Sequence, residues 1–193
     1  MFTWIDQFVF NHSSEVSVFL PITVLMIGLF AVVRSDGYIQ KKRRRFLLIM
    51  CMVVASLIVQ NYLDYILNSY SFIMMRKLVV IYGYAIRPVI LVFFLHIVCP
   101  GRKFAVSWIL ASVNAFMYLL TAFGIDLCFK INENNHWEGG MWLFGYTCTV
   151  VSFLLLMYLF YLSIREFRIS NARDAWILVF AVVLIIVTVI LDF

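Results

Sequence analysis

Charged residues are scarce in this chain. Lys, Arg, Asp and Glu together make up 13% of its 193 residues, against about a quarter in soluble domains. Hydrophobic residues make up 65%. A soluble protein of this length could not bury so much apolar side chain, because its surface must carry charge. The composition therefore excludes a water-soluble fold and predicts a multi-pass protein of the plasma membrane.

Chemical motifs are lacking as well. The four cysteines (Cys51, Cys99, Cys128 and Cys148) have no CxxC or Cys/His metal spacing, so we expect buried thiols, with a Cys128–Cys148 bridge as the alternative. No GxSxG, HExxH, Walker or GGDEF-like run is present. The sequence therefore predicts no enzyme activity, no catalytic residues, no metal site and no cofactor.

Long apolar segments are what the sequence has instead. A membrane span takes about 20 apolar residues, and unpaired backbone is not tolerated in lipid, so each such segment should be a helix. The predicted fold is an all-α transmembrane bundle that forms a single domain over residues 1–193. Its six predicted spans are 16–33, 46–67, 78–98, 104–129, 141–164 and 175–191. Residues 1–11 could lie along the outer interface.

Basic residues set the predicted orientation. Eleven of them lie in the loops after the first, third and fifth spans, and three lie in the other loops. The first set of loops is therefore predicted to be cytoplasmic, with the N-terminus outside. Six spans then end outside, so we expect either a minimal membrane module or part of a seven-span protein. Acidic residues near the outer side indicate either interfacial solvation or a vestibule that attracts a cation.

The third predicted span contains one buried charge, Arg87. It lies nine residues after Leu78, roughly 13 Å into the membrane. A lone arginine at this depth costs at least about 2.5 kcal/mol, so it should face other helices and find a partner. Pro88 follows and leaves the carbonyl of Tyr84 without its helical donor, which favours a kink. Asp64 and Asn114 are the candidate partners by depth.

Polar and small residues recur at helical spacing in three other spans. These stripes should face the interior of the bundle, as packing surfaces or as ligand contacts. They are Leu57, Asn61, Asp64 and Asn68; Ser107, Ala111, Asn114, Tyr118 and Thr121; and Gly145, Thr149 and Ser152. The candidate ligand-binding or switch residues are therefore Arg87, Pro88, Tyr84, Asp64, Asn61, Asn114 and Thr149.

Three segments resemble a known family, and one of them is the predicted sixth span at 175–191 after its short basic loop. IYGYAIRPVILVFFLHIV and NENNHWEGGMWLFGYTCTVVSFLLLMYLFYLSIREF resemble the N-terminal multi-span membrane region of Gram-positive, Clostridia-type GGDEF diguanylate cyclases. The resemblance implies a membrane sensor region that signals to a cytoplasmic cyclase. The GGDEF domain and the usual further span are missing from this sequence. The matching residues are Tyr84, Arg87, Pro88, Asn134, Asn135, Gly140 and Tyr146.

The sequence alone leaves three functions open. The first is a sensory module that binds an extracellular or membrane-borne small ligand and relays it to a cytoplasmic output domain. The second is a small transporter or substrate-binding membrane subunit, in which Arg87 holds an anion. The third is a structural membrane protein without a ligand. The partners to consider are the lipid bilayer, an unidentified small ligand, an output domain and a second copy in a homodimer, but no nucleic acid.

Overall fold

The computed structural model describes residues 13–37, 41–69, 72–133 and 135–170. The predicted sixth span at 175–191, the interfacial segment at 1–11 and Asn134 lie outside the described residues. Five α-helices make up most of the described chain. They are α1 (Ser13–Ser35), α2 (Lys41–Ser69), α3 (Ile73–Val98), α4 (Ala105–Ala122) and α5 (Thr147–Ser170).

Membrane-spanning length is found in four of the described helices. These are Lys41–Ser69, Ile73–Val98, Ala105–Ala122 and Trp142–Arg165, which includes the short 3₁₀ helix Trp142–Tyr146 that leads into α5. In α1, Pro21–Ser35 is a shorter apolar helix. Apolar runs become helices here because a helix satisfies its own backbone polar groups. The predicted helical fold is confirmed for the described residues apart from a short hairpin, and four of the helices are long and apolar enough to cross a membrane.

The predicted fourth span is too long at its C-terminal end. Helix α4 ends at Ala122, not at 129. Gly124 has φ of 86°, Ile125 N–H donates to the Leu120 carbonyl at 3.2 Å, and Gly124 N–H donates to Thr121 at 3.2 Å. This pair of bonds is a Schellman C-cap, in which glycine provides the left-handed residue. The apolar residues beyond it belong to a different element.

A small β-hairpin follows α4. Strand β1 (Phe129–Ile131) pairs antiparallel with β2 (Trp137–Gly139), and Lys130 lies opposite Glu138. Gly140 returns the chain beneath this hairpin, where its N–H donates to the Cys128 carbonyl at 3.0 Å. A Cβ at Gly140 would overlap the backbone of Leu127 and Cys128, so only glycine fits. The hairpin marks one end of the bundle, here called the hairpin end.

The opposite end holds the basic loops and is called the basic end. There, Phe46 of α2 stacks on His96 of α3, with ring centroids 4.8 Å apart. Phe104, just before α4, meets Tyr158 of α5 at 6.3 Å. The arginines and lysines at 41–45 and 102–103 therefore lie at the same end, as expected of an up-and-down bundle.

Helix α3 is the centre of the bundle, because it packs against α2, α4 and α5.

The predicted interior stripe of α4 is confirmed, since its buried residues are Ser107, Ala111, Asn114, Tyr118 and Thr121. The stripe predicted for α2 is wrong in detail, because Asn61 and Asn68 are exposed and Gln60 is buried instead. On α5 the buried row runs through Cys148, Val151, Leu155, Leu159 and Leu162, beside the predicted residues.

Candidate functional site

A polar cavity of about 190 Å³ lies between α2 and α3, in the half of the bundle nearer the hairpin. Helix α2 contributes three polar side chains, α3 contributes most of the rest, and Trp137 of β2 covers the cavity from the hairpin. Its lining residues are Gln60, Asn61, Asp64, Arg76, Val80, Gly83, Tyr84, Arg87 and Trp137. Four of the predicted site residues (Arg87, Tyr84, Asp64 and Asn61) thus border the same space.

Arg87 borders this cavity with its side chain exposed. Its guanidinium carbon lies 4.7 Å from the centroid of the Tyr84 ring, a cation–π distance. Within the described residues its guanidinium makes no ion pair or hydrogen bond. The expected pairing with Asp64 or Asn114 is not found, because both of those residues are engaged elsewhere. Arg87 therefore presents a charge to the cavity without an anionic neighbour of its own.

The buried arginine that pairs with Asp64 is Arg76, and not Arg87 as the sequence analysis expected. It is 8% exposed, and its Nε lies 2.9 Å from Asp64 Oδ1 in an ion pair. Its Nη1 donates to the backbone carbonyl of Asn135 and to Asn135 Oδ1 at 3.3 Å. The sequence analysis placed Arg76 in an outer loop. A signal was present, because Asp64 lies five residues before the end of α2 at Ser69 and Arg76 lies three residues after the start of α3 at Ile73, so both are close to the connection between the two helices.

Asn135 fastens the hairpin to α2. It is 3% exposed and has φ of 60°, a conformation that asparagine tolerates better than most residues. Its Nδ2 donates to the carbonyls of Leu67 at 3.1 Å and Asn68 at 2.9 Å. These carbonyls belong to the last turn of α2, where no helical donor remains. One asparagine thus caps a helix and holds Arg76.

Gln60 supplies a polar group that lacks a partner. The residue is 6% exposed, and its Oε1 accepts no hydrogen bond within the described structure. Its amide lies flat over Gly83, where an added Cβ would come within 2.5 Å of Oε1. A buried amide oxygen left without a donor costs about 1–3 kcal/mol. Gly83 therefore makes room for a side chain whose amide oxygen has no donor in the part of the chain that the structure describes.

The carbonyl released by Pro88 is bonded by two other helices. Asn114 Nδ2 of α4 donates to the Tyr84 carbonyl at 3.0 Å, and Cys148 Sγ of α5 donates to it at 3.4 Å. Helix α3 continues across Pro88 without interruption. We call Tyr84, Pro88, Asn114 and Cys148 the proline clasp. Through it, the backbone beside Arg87 is tied to α4 and α5.

Three predicted site residues lie apart from the cavity lining, and one of them is Pro88, which is buried in α3. Asn114 is fully buried in the proline clasp, and its Oδ1 has no hydrogen-bond partner among the described residues. Thr149 is half-buried on α5 and does not border the cavity. The structure therefore separates the seven predicted residues into a cavity group and a group behind it.

Two acidic residues at the hairpin end are paired with basic side chains. Asp64 is paired with Arg76, and Asp126 lies 2.9 Å from Lys77 Nζ. Glu138 accepts a hydrogen bond from Asn132 Nδ2 at 2.8 Å. Asp64 and Asp126 are therefore neutralised by protein partners and do not attract a cation to a vestibule.

The four cysteines are free thiols. No disulfide links them, and all four are buried. Cys128 lies in the loop before β1, where burial raises the pKa of its thiol and so disfavours the reactive thiolate. Among the described residues, no group of three His, Cys, Asp or Glu side chains is placed to hold a metal ion.

Comparison with known proteins adds no name to this site. No family model, no curated protein and no solved structure matches the chain.

Proposed function

We propose that the chain is a membrane sensory module that binds a small ligand in the cavity beside Arg87 and relays the event toward the basic end. The proposal places the hairpin end outside the cell and the basic end in the cytoplasm, with six spans, as the distribution of Lys and Arg favours. The observation that supports it is the polar cavity, in which the charged Arg87 has no partner of opposite charge among the described residues.

The proline clasp supplies a route for the signal. Ligand contact with Arg87 would act on a helical segment whose carbonyl at Tyr84 bonds to α4 and α5. A shift of this segment therefore changes contacts with two neighbouring helices, which is the kind of small helix movement that many receptors use. An output domain or partner protein at the basic end would read that movement. The resemblance to cyclase membrane regions is in keeping with such an output.

The alternatives have less support. Transporters with broken helices place their sites where a membrane helix unwinds, whereas α3 runs unbroken from Ile73 to Val98. A purely structural role would have Arg87 join helices, but among the described residues it makes no ion pair or hydrogen bond, and its cation–π contact is with Tyr84 one turn earlier in the same helix. Arg76 has the joining role instead. A sensor therefore agrees both with an unbroken α3 and with an Arg87 that does not join helices.

The test uses the full chain in phosphatidylcholine nanodiscs. A library of small anionic, neutral and cationic metabolites is screened by thermal shift, because a ligand of the folded state raises the melting temperature. Each hit is then followed by hydrogen exchange at residues 99–104 of the basic end. We expect a hit to change exchange there in the wild type and not in Arg87→Gln. A library without hits, or hits that act equally on Arg87→Gln, would contradict the proposal.

A further inference from the structure

The charges that line the cavity, and the polar atom there without a described hydrogen-bond partner, indicate the chemical class of its ligand. We propose that it binds a small monoanion that also carries an N–H or O–H donor, as hydroxy acids and N-acylated amino acids do. The inference rests on the proposed function, since it names the ligand class of that same site. It is carried by two side chains on facing helices, Arg87 of α3 and Gln60 of α2.

The sign of the ligand follows from the lining. Three ionisable side chains with a charge at neutral pH border the cavity: Asp64, Arg76 and Arg87. Asp64 and Arg76 form an ion pair with N and O 2.9 Å apart, so their charges cancel. Arg87 is left with a neutral aromatic ring as its described contact. The lining therefore has a net charge of one positive unit, and a monoanion balances it.

The donor requirement follows from Gln60. Its Oε1 is buried and accepts no hydrogen bond from the described residues. Because Gly83 has no side chain, the amide can lie against α3 at the edge of the cavity. An occupant with a hydroxyl or amide N–H group can supply the missing donor after a small rotation of the Gln60 amide. An anion without such a group would leave the oxygen unsatisfied.

The size of the cavity limits the ligand. About 190 Å³ is room for about six water molecules at about 30 Å³ each. Nucleotides and oligosaccharides are too large, while a carboxylic acid with a short branched or aromatic side chain fits. Val80 and the rings of Tyr84 and Trp137 offer apolar surface to that side chain. The phosphodiester and glycerol of an anionic lipid headgroup have the same chemistry, so the source of the anion is a second question.

A series of three compounds on one carbon skeleton tests the class. The probes are 2-hydroxy-4-methylpentanoate, 4-methylpentanoate and 4-methylpentane-1,2-diol, and binding is measured by thermal shift and titration in phosphatidylcholine nanodiscs. The first compound has an anion and a donor, the second lacks the donor and the third lacks the anion. We expect the hydroxy acid to bind about tenfold more tightly than the acid, and the diol not to bind.

Variants at the two key residues sharpen the test. Arg87→Gln should abolish binding of both acids. Gln60→Met keeps the length of the side chain but removes the amide oxygen, so the tenfold preference for the hydroxy acid should disappear. Gln60→Glu adds a negative charge to the cavity and should weaken the binding of both acids. This second variant still tests the role of position 60 if Gln60→Met does not fold. Arg102→Gln, an exposed residue at the basic end, is the matched control and should bind as the wild type does.

Nanodiscs that contain phosphatidylglycerol identify the source of the anion. If this lipid suppresses the shift given by the hydroxy acid, or replaces it by a shift lost in Arg87→Gln, a headgroup occupies the site and the proposed chemistry stands. If the diol binds as tightly as the hydroxy acid, the chemistry is wrong. It is equally wrong if neither acid shifts the melting temperature at millimolar concentration and phosphatidylglycerol has no Arg87-dependent effect.

Failure of this inference and failure of the proposed function look different. A hydroxy acid that binds through Arg87 but leaves hydrogen exchange at residues 99–104 unchanged supports the ligand class and contradicts the relay. A cation or neutral compound that changes exchange there supports the relay and contradicts the ligand class.

Discussion

The two halves of α3 are held in different ways. Toward the basic end, Leu91, Val92, Leu95 and Val98 pack into a continuous apolar core with α4 and α5. Toward the hairpin end, the same helix is held by the Arg76 ion pair, by the hairpin and by the edge of a polar cavity. Pro88 lies near the point where the two regions meet.

Unpaired polar atoms follow the same division. Buried side-chain oxygens without a described partner occur at Gln60, Asn114 and Thr121, from mid-bundle to the hairpin end. At the basic end, the buried hydroxyl of Ser163 donates to the Leu159 carbonyl at 2.8 Å. The difference teaches that one half is packed to be rigid, while the other keeps polar groups whose partners can change. A sensor needs both, because a movement is transmitted only by parts that do not themselves deform.

The largest effect is expected at Arg76. Replacement by Gln leaves Asp64 without its partner and releases the carbonyl of Asn135. Removing one member of a buried pair costs about 3–5 kcal/mol, and partial exposure of Asp64 should reduce this to about 2–4 kcal/mol of unfolding free energy. Lys77→Gln breaks the more exposed pair with Asp126 and should cost less than about 1 kcal/mol. Equal losses in reversible unfolding in mixed micelles would show that the two pairs do not differ.

The apolar half is tested by two adjacent leucines of α5. Leu155 is 1% exposed, whereas Leu154 is 51% exposed. In lipid, packing contacts are lost without the full hydrophobic penalty seen in water, so we expect Leu155→Ala to cost about 1–3 kcal/mol. Leu154→Ala should change the unfolding free energy by less than about 0.5 kcal/mol. A larger loss at Leu154 would mean that its surface is covered by protein.

A smaller effect is expected at Gly83, where the cavity and helix packing meet. Gly83→Ala places a methyl group against the Gln60 amide and should cost about 1–2 kcal/mol. Adding Gln60→Ser to Gly83→Ala removes the clash and should restore most of the stability. Gly28→Ala in α1, where a Cβ meets nothing within 4 Å, is the control and should be neutral or slightly stabilising. If the double variant is no more stable than Gly83→Ala, the clash lies elsewhere.

The smallest effect concerns the proline clasp. Asn114→Ala removes a hydrogen bond to the Tyr84 carbonyl and should cost about 1 kcal/mol. In a Pro88→Ala background, residue 88 regains an N–H for that carbonyl, so the same change should cost less. A double-mutant cycle should therefore give a coupling energy of about 0.5–1 kcal/mol. Additive losses would show that Asn114 acts independently of the proline.

The helices could be predicted because lipid leaves apolar segments little alternative to helix. The end of α4 was missed for a physical reason. Cys128, Phe129 and Ile131 are apolar like a membrane span, but they are buried in a hairpin that packs beside Tyr118. Hydropathy alone does not separate these two uses of apolar residues. Gly124 was the available signal, because a glycine after a helical run often forms its C-cap.

The candidate site could be predicted only in part. Depth and spacing indicated Arg87, Tyr84 and Asp64 as neighbours of one space. They could not decide which arginine pairs with Asp64, because Arg76 and Arg87 lie on the same helix and both can reach toward α2. The answer depends on Asn135, which arrives from a distant loop and holds Arg76 in place. Contacts of that range are set by tertiary structure and not by local pattern.

The central claim is that Arg76 stabilises the bundle and Arg87 is kept for a ligand. The most direct measurement is therefore the unfolding free energy of Arg87→Gln beside that of Arg76→Gln, in the same mixed micelles without ligand. We expect Arg87→Gln to be as stable as the wild type or slightly more so, because it removes a charge without an anionic partner. A loss in Arg87→Gln as large as that in Arg76→Gln would contradict the account and make Arg87 a structural residue.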